Sequence, residues 1–347
     1  MELKKAQYLF EQFFPHGKVE HLQAITEGLI NQTFVVFTTH QKFILQSINT
    51  TVFPLFKEGL FNILLVKKHL FEAKFPYAFP TPIQDKYIEC KSEIWRLFPY
   101  IEDSVCYNKV PSQTIVQEAG KCLGSFYRSS ATVPVEQLHI TLPDFHAGAF
   151  RLAQFEQAVN TSGKERKQLA QELIENIDSQ KEILLQFDQL NASLPQRVVH
   201  FDTKISNFLF DKKTDKATAL IDLDTLMPGT VLSDIGDMIR TYSNVLGEES
   251  QEISQVRADA KIIKVLLRSF LSEVTLTKEE KTQLYFAGQA ITLMQSVRFL
   301  TDFLNDNVYY KTSYEMHNLM RAQNQWALYK SLKQLVLPNL HEYELAQ

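Results

Sequence analysis

The stretch from Val198 to Asp224, VVHFDTKISNFLFDKKTDKATALIDLD, constrains this chain more than any other. An apolar run leads into His200, and Asp202, Lys204 and Asn207 follow at short intervals. Two apolar runs, Phe208–Phe210 and Ala217–Ile221, then flank a polar turn from Asp211 to Lys216. Such a pattern predicts a loop followed by a two-stranded hairpin. Closing the hairpin carries Asn207, just before its first strand, to Asp222 at the end of its second. Two oxygen donors then face one point.

Kinase-type phosphoryl transfer asks for this arrangement, because Mg²⁺ takes oxygen ligands and bridges the phosphates of ATP while a separate carboxylate orients the attacking hydroxyl. The spacing follows H-x-D-x-x-x-x-N, with Asp222 where the aspartate of D-F-G stands. Asp202 is the candidate base, and Asn207 and Asp222 are candidate metal ligands. Lys204, two residues beyond the base, is placed to meet charge on the γ-phosphate. Asp224 is a candidate for a second metal or for the acceptor, against the plainer role of holding the next turn. A polar loop of ordinary composition accounts for the motif string alone but leaves the hairpin and the closing Asp-x-Asp unexplained.

Three segments carry a resemblance to a known family: His200-Phe201-Asp202-Thr203-Lys204-Ile205-Ser206-Asn207, Ile221-Asp222-Leu223-Asp224-Thr225, and Ser233-Asp234-Ile235-Gly236-Asp237-Met238-Ile239-Arg240. They resemble the aminoglycoside phosphotransferase and choline kinase superfamily, and within it the N-acetylhexosamine 1-kinases. The resemblance implies a two-lobed, kinase-like α+β fold, with a small antiparallel N-lobe sheet over about 1–100 and a mainly helical C-lobe over 101–347. It further implies transfer from Mg-ATP to the anomeric hydroxyl of N-acetylglucosamine or N-acetylgalactosamine.

Bulk properties agree with two lobes: 347 residues suit about two domains, each long enough to bury a core. A net charge of −4 carries no basic footprint, which argues against nucleic acid or an anionic membrane as partner. Three scattered cysteines, Cys90, Cys106 and Cys122, form neither a disulfide framework nor a metal-ligand pattern, and a reducing cytoplasm is expected. The first residues lack the apolar core of a secretory signal, and no apolar run approaches a membrane span.

Upstream, residues 5–14 predict a helix, and Gln32–Thr38 and Lys42–Ile48 predict paired strands. Before them, Thr26–Thr33 occupies the place of a nucleotide loop. There Gly28 would let backbone approach phosphate, and Asn31 or Thr33 would donate to it. The second strand should carry a phosphate-binding lysine, but Phe43-Ile44-Leu45 is followed by Gln46. The N-acetylhexosamine kinases resemble this leucine-glutamine pair. If Gln46 replaces the lysine, Lys42, Lys57 or Lys204 must supply the charge or nucleotide affinity suffers. Residues 55–71 predict the helix that usually carries the lysine's glutamate partner. Glu58 is available there, although the expected place is nearer Phe61 or Asn62.

Strands are expected at Tyr87–Cys90 and Glu93–Ile101. The run Trp95–Ile101 should pass between lobes and read adenine, with Phe98 and Tyr100 as candidate contacts. Helices are expected over 117–129, as one long element over 164–190, and over 253–273, 278–306 and 312–335. His146 sits in an intervening loop, where packing is the first expectation and ligand contact the second. Ser233 or Asp234 would cap a helix whose first turn holds Asp237.

The acceptor side falls in Arg298–Gln325, whose charges balance. A polycationic aminoglycoside would call for an acidic wall, and choline for an aromatic box. Arg298-Phe299-Leu300-Thr301-Asp302 with Tyr309-Tyr310-Lys311 resembles the N-acetylhexosamine 1-kinases most specifically. That resemblance implies Arg298 and Tyr309, with Asp202 and Asp224, as sugar contacts. Kinases of other hydroxyl acceptors and a nucleotide-binding pseudokinase are the competing readings.

Overall fold

Alternating apolar residues in Gln32–Thr38 and Lys42–Ile48 give each strand one face that must leave water, and the chain supplies an amphipathic helix to cover it. The computed structural model describes residues 1–25 and 30–335. Helix α1 (Leu3–Glu11) precedes strands β1 (Val19–Ile25), β2 (Gln32–Thr38) and β3 (Lys42–Ile48), followed by helix α2 (Phe56–Glu72) and strands β4 (Ile88–Cys90) and β5 (Glu93–Pro99). The five strands form one antiparallel sheet in the order β1-β2-β3-β5-β4. On one face Phe34, Val36, Phe43, Leu45, Trp95 and Leu97 bury against Ala6, Leu9, Phe10 and Phe13. Each large side chain so buried contributes roughly 1.5–3 kcal/mol.

Strand alternation sends the next residues to the other face. Thr33 lies opposite Gln46 and Gln46 opposite Arg96, so a polar row crosses β2, β3 and β5.

Beyond the sheet come β6 (Ser104–Val105) and helices α3 (Gln113–Ser129), α4 (Gly148–Thr161), α5 (Lys164–Asp178) and α6 (Lys181–Ser193). Strands β7 (Arg197–Val199), β8 (Phe208–Asp211), β9 (Ala217–Leu220) and β10 (Met227–Gly229) follow, then helices α7 (Val231–Ser243), α8 (Ala260–Leu271), α9 (Lys278–Leu304) and α10 (His317–Gln334). Helix α9 is the axis of this lobe, with α4, α5, α6, α7 and α10 packed on it. It crosses α7 closely because neither helix carries a side chain at the crossing. A Cβ on Gly236 would stand 2.6 Å from Ile291, and one on Gly288 2.4 Å from Ile239. The start of α9 is fixed by a Thr277/Glu280 capping box, and Glu280 also accepts two hydrogen bonds from Arg197 at the head of β7.

An antiparallel sheet lobe joined to a helical lobe was expected and is what the chain forms. Several elements differ from expectation. The single helix over 164–190 is two, because the chain breaks at Ser179–Gln180, where Gln180 Oε1 accepts hydrogen bonds from the Tyr329 hydroxyl and Lys333 Nζ of α10. Strand β1 and helix α4 were not anticipated, and α8 begins later than residue 253. No helix among the described residues is long and apolar enough to cross a membrane.

Candidate active site

Strands β7 and β10 pair antiparallel, with Val199 opposite Met227, so the chain that enters at His200 lies beside the chain that leaves at Leu226. Between them the β8–β9 hairpin forms as its sequence predicts, and the Ile221 N–H donates to the Asn207 carbonyl at 2.9 Å. That bond closes the hairpin mouth and brings Asn207 beside Asp222.

The loop before the hairpin is held in an unusual backbone. Phe201 and Asp222 both have left-handed φ, 65° and 63°, a conformation that costs a non-glycine residue about 1–3 kcal/mol. The compensation comes from α7. Asp234 accepts from the backbone N–H of His200 at 3.0 Å and of Phe201 at 2.7 Å, and from the Tyr127 hydroxyl at 2.8 Å. Asp237 accepts from the Thr203 N–H at 3.1 Å and pairs with Arg240. The capping role expected for Ser233 or Asp234 is therefore corrected: Thr230 occupies the N-cap position, with no side-chain cap, and both aspartates brace the loop instead. Burial drives the Asp234 carboxyl up to about 6, against the pull of His200 and the donors around it. Asp234→Ala would strand three buried donors and is expected to lower stability by on the order of 3 kcal/mol or more, read as the free energy of urea unfolding. An unchanged unfolding midpoint would remove Asp234 from this role.

His200 is buried, with Nδ1 accepting from the Asp202 N–H at 3.3 Å and Nε2 facing the Ile221 carbonyl at 2.9 Å. Nε2 therefore carries the proton. His200 ties the Asp202 segment to the Asp222 segment.

Asp202 and Lys204 form an ion pair, Nζ to Oδ2 at 2.7 Å, and both side chains keep some exposure. Burial opposes charge on Asp202, yet Lys204 outweighs it and holds the carboxyl below its ordinary range. Asn207 donates from Nδ2 to the Asp202 carbonyl at 2.8 Å. At Asp222 the balance is reversed: burial, with Asp224 and Asp202 nearby, raises the carboxyl above its ordinary range despite Lys204. No donor among the described residues is hydrogen-bonded to that carboxylate, which makes Asp222 the group in this cluster that most lacks a cation. Among the described residues no set of three or more His, Cys, Asp or Glu side chains is arranged to hold a metal. An ion here would rest on the oxygens of Asp222 and Asn207 and on phosphate, a donor set that fits Mg²⁺.

Asp224 does not join that set. Its carboxylate is gripped by both Nη atoms of Arg96, at 2.5 and 2.6 Å, and Asn31 Nδ2 donates to it at 2.9 Å. The Gln46 side-chain oxygen accepts from Nε and Nη2 of the same arginine, and Gln46 Nε2 donates to Thr33 Oγ1 at 3.0 Å. A cation, Arg96, thus stands opposite Gln46 on the neighbouring strand, paired with Asp224. Of the cations expected to stand in for the lysine, Lys42 pairs with Glu102 and lies over the Tyr100 ring, Lys57 lies near the Phe56 ring, and Lys204 pairs with Asp202. A charged residue at an inward position of the apolar strand Glu93–Pro99 was the sequence signal for Arg96. The glutamate place on α2 is taken by buried Asn62, which bonds the backbone of His139 and Leu226.

Of the other nucleotide candidates, Phe98 lies beneath the Arg96 guanidinium at 5.0 Å on the same sheet face, and Tyr100 stands just past β5. Gly28 lies outside the described residues.

On the acceptor side, Arg298 stacks over Phe145 at 5.2 Å and Tyr310 at 5.7 Å. Phe145 stacks on His146, and His146 meets Phe201, the neighbour of Asp202. An unbroken set of ring contacts therefore links Arg298 to the catalytic loop. Arg151 sits in the same wall, and neither it nor Arg298 is ion-paired with a carboxylate among the described residues. His146 is kept neutral by burial and by Arg298, Arg151 and Arg240 around it, and its stacking is the packing role first expected. Tyr309 is exposed at 59% of its surface. Buried Asp302, to which the sequence assigned no site role, accepts from the Tyr309 and Tyr310 N–H groups and from Asn318, and so shapes the turn that presents Tyr309.

An antiparallel sheet lobe over a helical lobe, with an Asp-x-Lys loop and an Asp-bearing hairpin at their junction, defines a kinase-like phosphotransferase. Residues 21–260 match the phosphotransferase enzyme family, APH, and the chain belongs to it. Solved structures with the same fold include an aminoglycoside phosphotransferase from Alicyclobacillus acidocaldarius, at 14% identity and a TM-score of 0.65, covering 94% of this chain and 95% of that one. Spectinomycin phosphotransferase in complex with ADP and spectinomycin matches at 14% identity and a TM-score of 0.62, over 99% and 97% of the two chains. A microcompartment-associated aminopropanol kinase matches at 13% identity and 0.59, over 96% and 97%.

Proposed function

We propose that this phosphotransferase uses Mg-ATP to phosphorylate the anomeric hydroxyl of an N-acetylhexosamine, N-acetylglucosamine or N-acetylgalactosamine, with the two lobes dividing near residue 100. The observation that carries the chemistry is the Asp202–Lys204 pair beside Asn207 and an Asp222 carboxylate lacking a donor. The relative solved with ADP supports a nucleotide at this junction.

In this reading Asp202 accepts the proton of the acceptor hydroxyl and aims its oxygen at phosphorus. Lys204 turns from Asp202 towards the transferring group and offsets its charge. Asn207 and Asp222 would hold Mg²⁺, which when bound neutralises the phosphates and fixes their geometry. Thr33, Asn31 and Gln46 line the sheet face towards the phosphates, with Phe98 and Tyr100 near the base. The Thr26–Thr33 loop, Gly28 included, is assigned to the phosphates from its sequence position.

The acceptor wall supports a neutral substrate. Arg151 and Arg298 stand without carboxylate partners among the described residues, in the wall that reaches Phe201 through Phe145 and His146, and two such cations repel a polycationic aminoglycoside. Tyr309 and Tyr310 meet edge to face and do not enclose a quaternary ammonium. Arg298, Tyr309 and Asp202 are the proposed sugar contacts. Asp224, with its oxygens spent on Arg96 and Asn31, is left to meet the sugar through a remaining lone pair.

A ³¹P NMR assay with ATP, Mg²⁺ and a panel of N-acetylhexosamines, aminoglycosides, choline and aminopropanol tests the reading. A sugar 1-phosphate is expected, with no turnover of choline or kanamycin. Preferred turnover of an amino alcohol would overturn the acceptor and leave the chemistry in place. Arg298→Ala is expected to raise KM for the sugar by roughly tenfold or more, with KM for ATP little changed, because it strips polar recognition from one substrate alone. The opposite split would place Arg298 outside the acceptor site.

A further inference from the structure

Arg96 and Asp224 are an unusual pair to find at a lobe junction. Their side chains are 3% and 8% exposed, and a buried ion pair of this kind contributes little to stability by itself, since desolvation offsets the attraction. Its geometry is nevertheless tightly specified. Arg96 comes from β5 and is oriented by Gln46, directly opposite on β3. Asp224 comes from the segment after the hairpin and is held a third time by Asn31, whose own side-chain oxygen accepts from the Asn49 N–H. Asp224 lies within a single helical turn, Leu223–Thr225, that begins directly after Asp222 in its left-handed conformation. The guanidinium is also within electrostatic reach of Asp222 itself. The helix α2 offers no substitute, because Asn62 at the expected place bonds backbone.

We propose that the Arg96–Asp224 clamp is the device that positions Asp222: Arg96, oriented by Gln46, fixes the Asp222–Asp224 segment against the nucleotide-facing sheet. It takes the place of a strand lysine paired with a helix glutamate. Arg96 is a positioning residue, acting through Asp224 on the orientation of Asp222. The inference rests on the Mg-nucleotide reading above and adds to it a residue that holds the metal ligand.

The test separates position from stability. In Arg96→Met/Asp224→Asn both charges leave together, so the midpoint of thermal unfolding should stay near that of wild type. Binding of Mg·ADP, read by calorimetry over a Mg²⁺ titration, should weaken roughly 10- to 100-fold, the usual loss when the support of a metal ligand is removed. Gln46→Lys/Arg96→Met returns a cation to the opposite strand position with Asp224 intact, and should recover most of the affinity. The inference is overturned if the folded double variant binds Mg·ADP with wild-type affinity and Mg²⁺ dependence, or if the relocated lysine folds and restores nothing. Wild-type protein that fails to bind Mg·ADP at all would overturn the nucleotide reading together with this one.

Discussion

Asp202→Asn is expected to lower kcat by roughly 10²- to 10⁴-fold, the range supplied by a positioned general base, with the affinity for Mg-ATP nearly unchanged. The substitution preserves shape, and the elements that hold residue 202 do not depend on its carboxylate. The loop is suspended from Asp234 and Asp237, its backbone carbonyl accepts from Asn207, and its N–H donates to His200. What is lost is the negative charge that Lys204 keeps ionised. Steady-state kinetics with both substrates varied checks the split. Near-wild-type kcat would show that Asp202 takes no part in transfer.

Lys204→Met is the second large effect: a barrier increase of roughly 2.7–4 kcal/mol, by analogy with the loss of one donor to a developing anion. Lys204 is a cation at neutral pH. Burial works against its charge, but Asp202, Asp222 and Asp237 surround it and raise its pKa above the ordinary value. In the structure it faces Asp202 at 2.7 Å, so its removal frees the base as well as depriving the phosphoryl group of a cation. The two roles separate in a cycle. If Lys204 acts on the phosphoryl group, Lys204→Met should still lower kcat in the Asp202→Asn background, whereas a lysine acting only through Asp202 would cost little further there. Unchanged kcat in Lys204→Met would remove the lysine from the mechanism.

The catalytic loop and hairpin were legible in the sequence because their residues are close along the chain and their geometry is local. A polar turn between two apolar runs can close in only one way, and closing it brings Asn207 to Asp222. The strands Gln32–Thr38 and Lys42–Ile48 were legible for the same reason, since a period of two records which face leaves water. The sequence also showed that Gln46 stands where a lysine is expected, so that either another cation answers for it or nucleotide affinity suffers.

Which cation stands opposite Gln46 was decided by tertiary structure alone. Arg96 and Asp224 are far apart along the chain, and nothing local distinguishes Arg96 from the other arginines except its apolar neighbours. Strand register sets Arg96 opposite Gln46, and the lobe junction then sets Asp224 against both. Asp234 and Asp237 read from sequence as helix-capping groups because acids favour a helix start. Docking α7 against α9 at Gly236 and Gly288 turns them to the catalytic loop instead. Local propensity determines which elements form, but charges between elements find partners only when packing fixes register and approach, because a hydrogen bond needs its donor placed to within a fraction of an ångström.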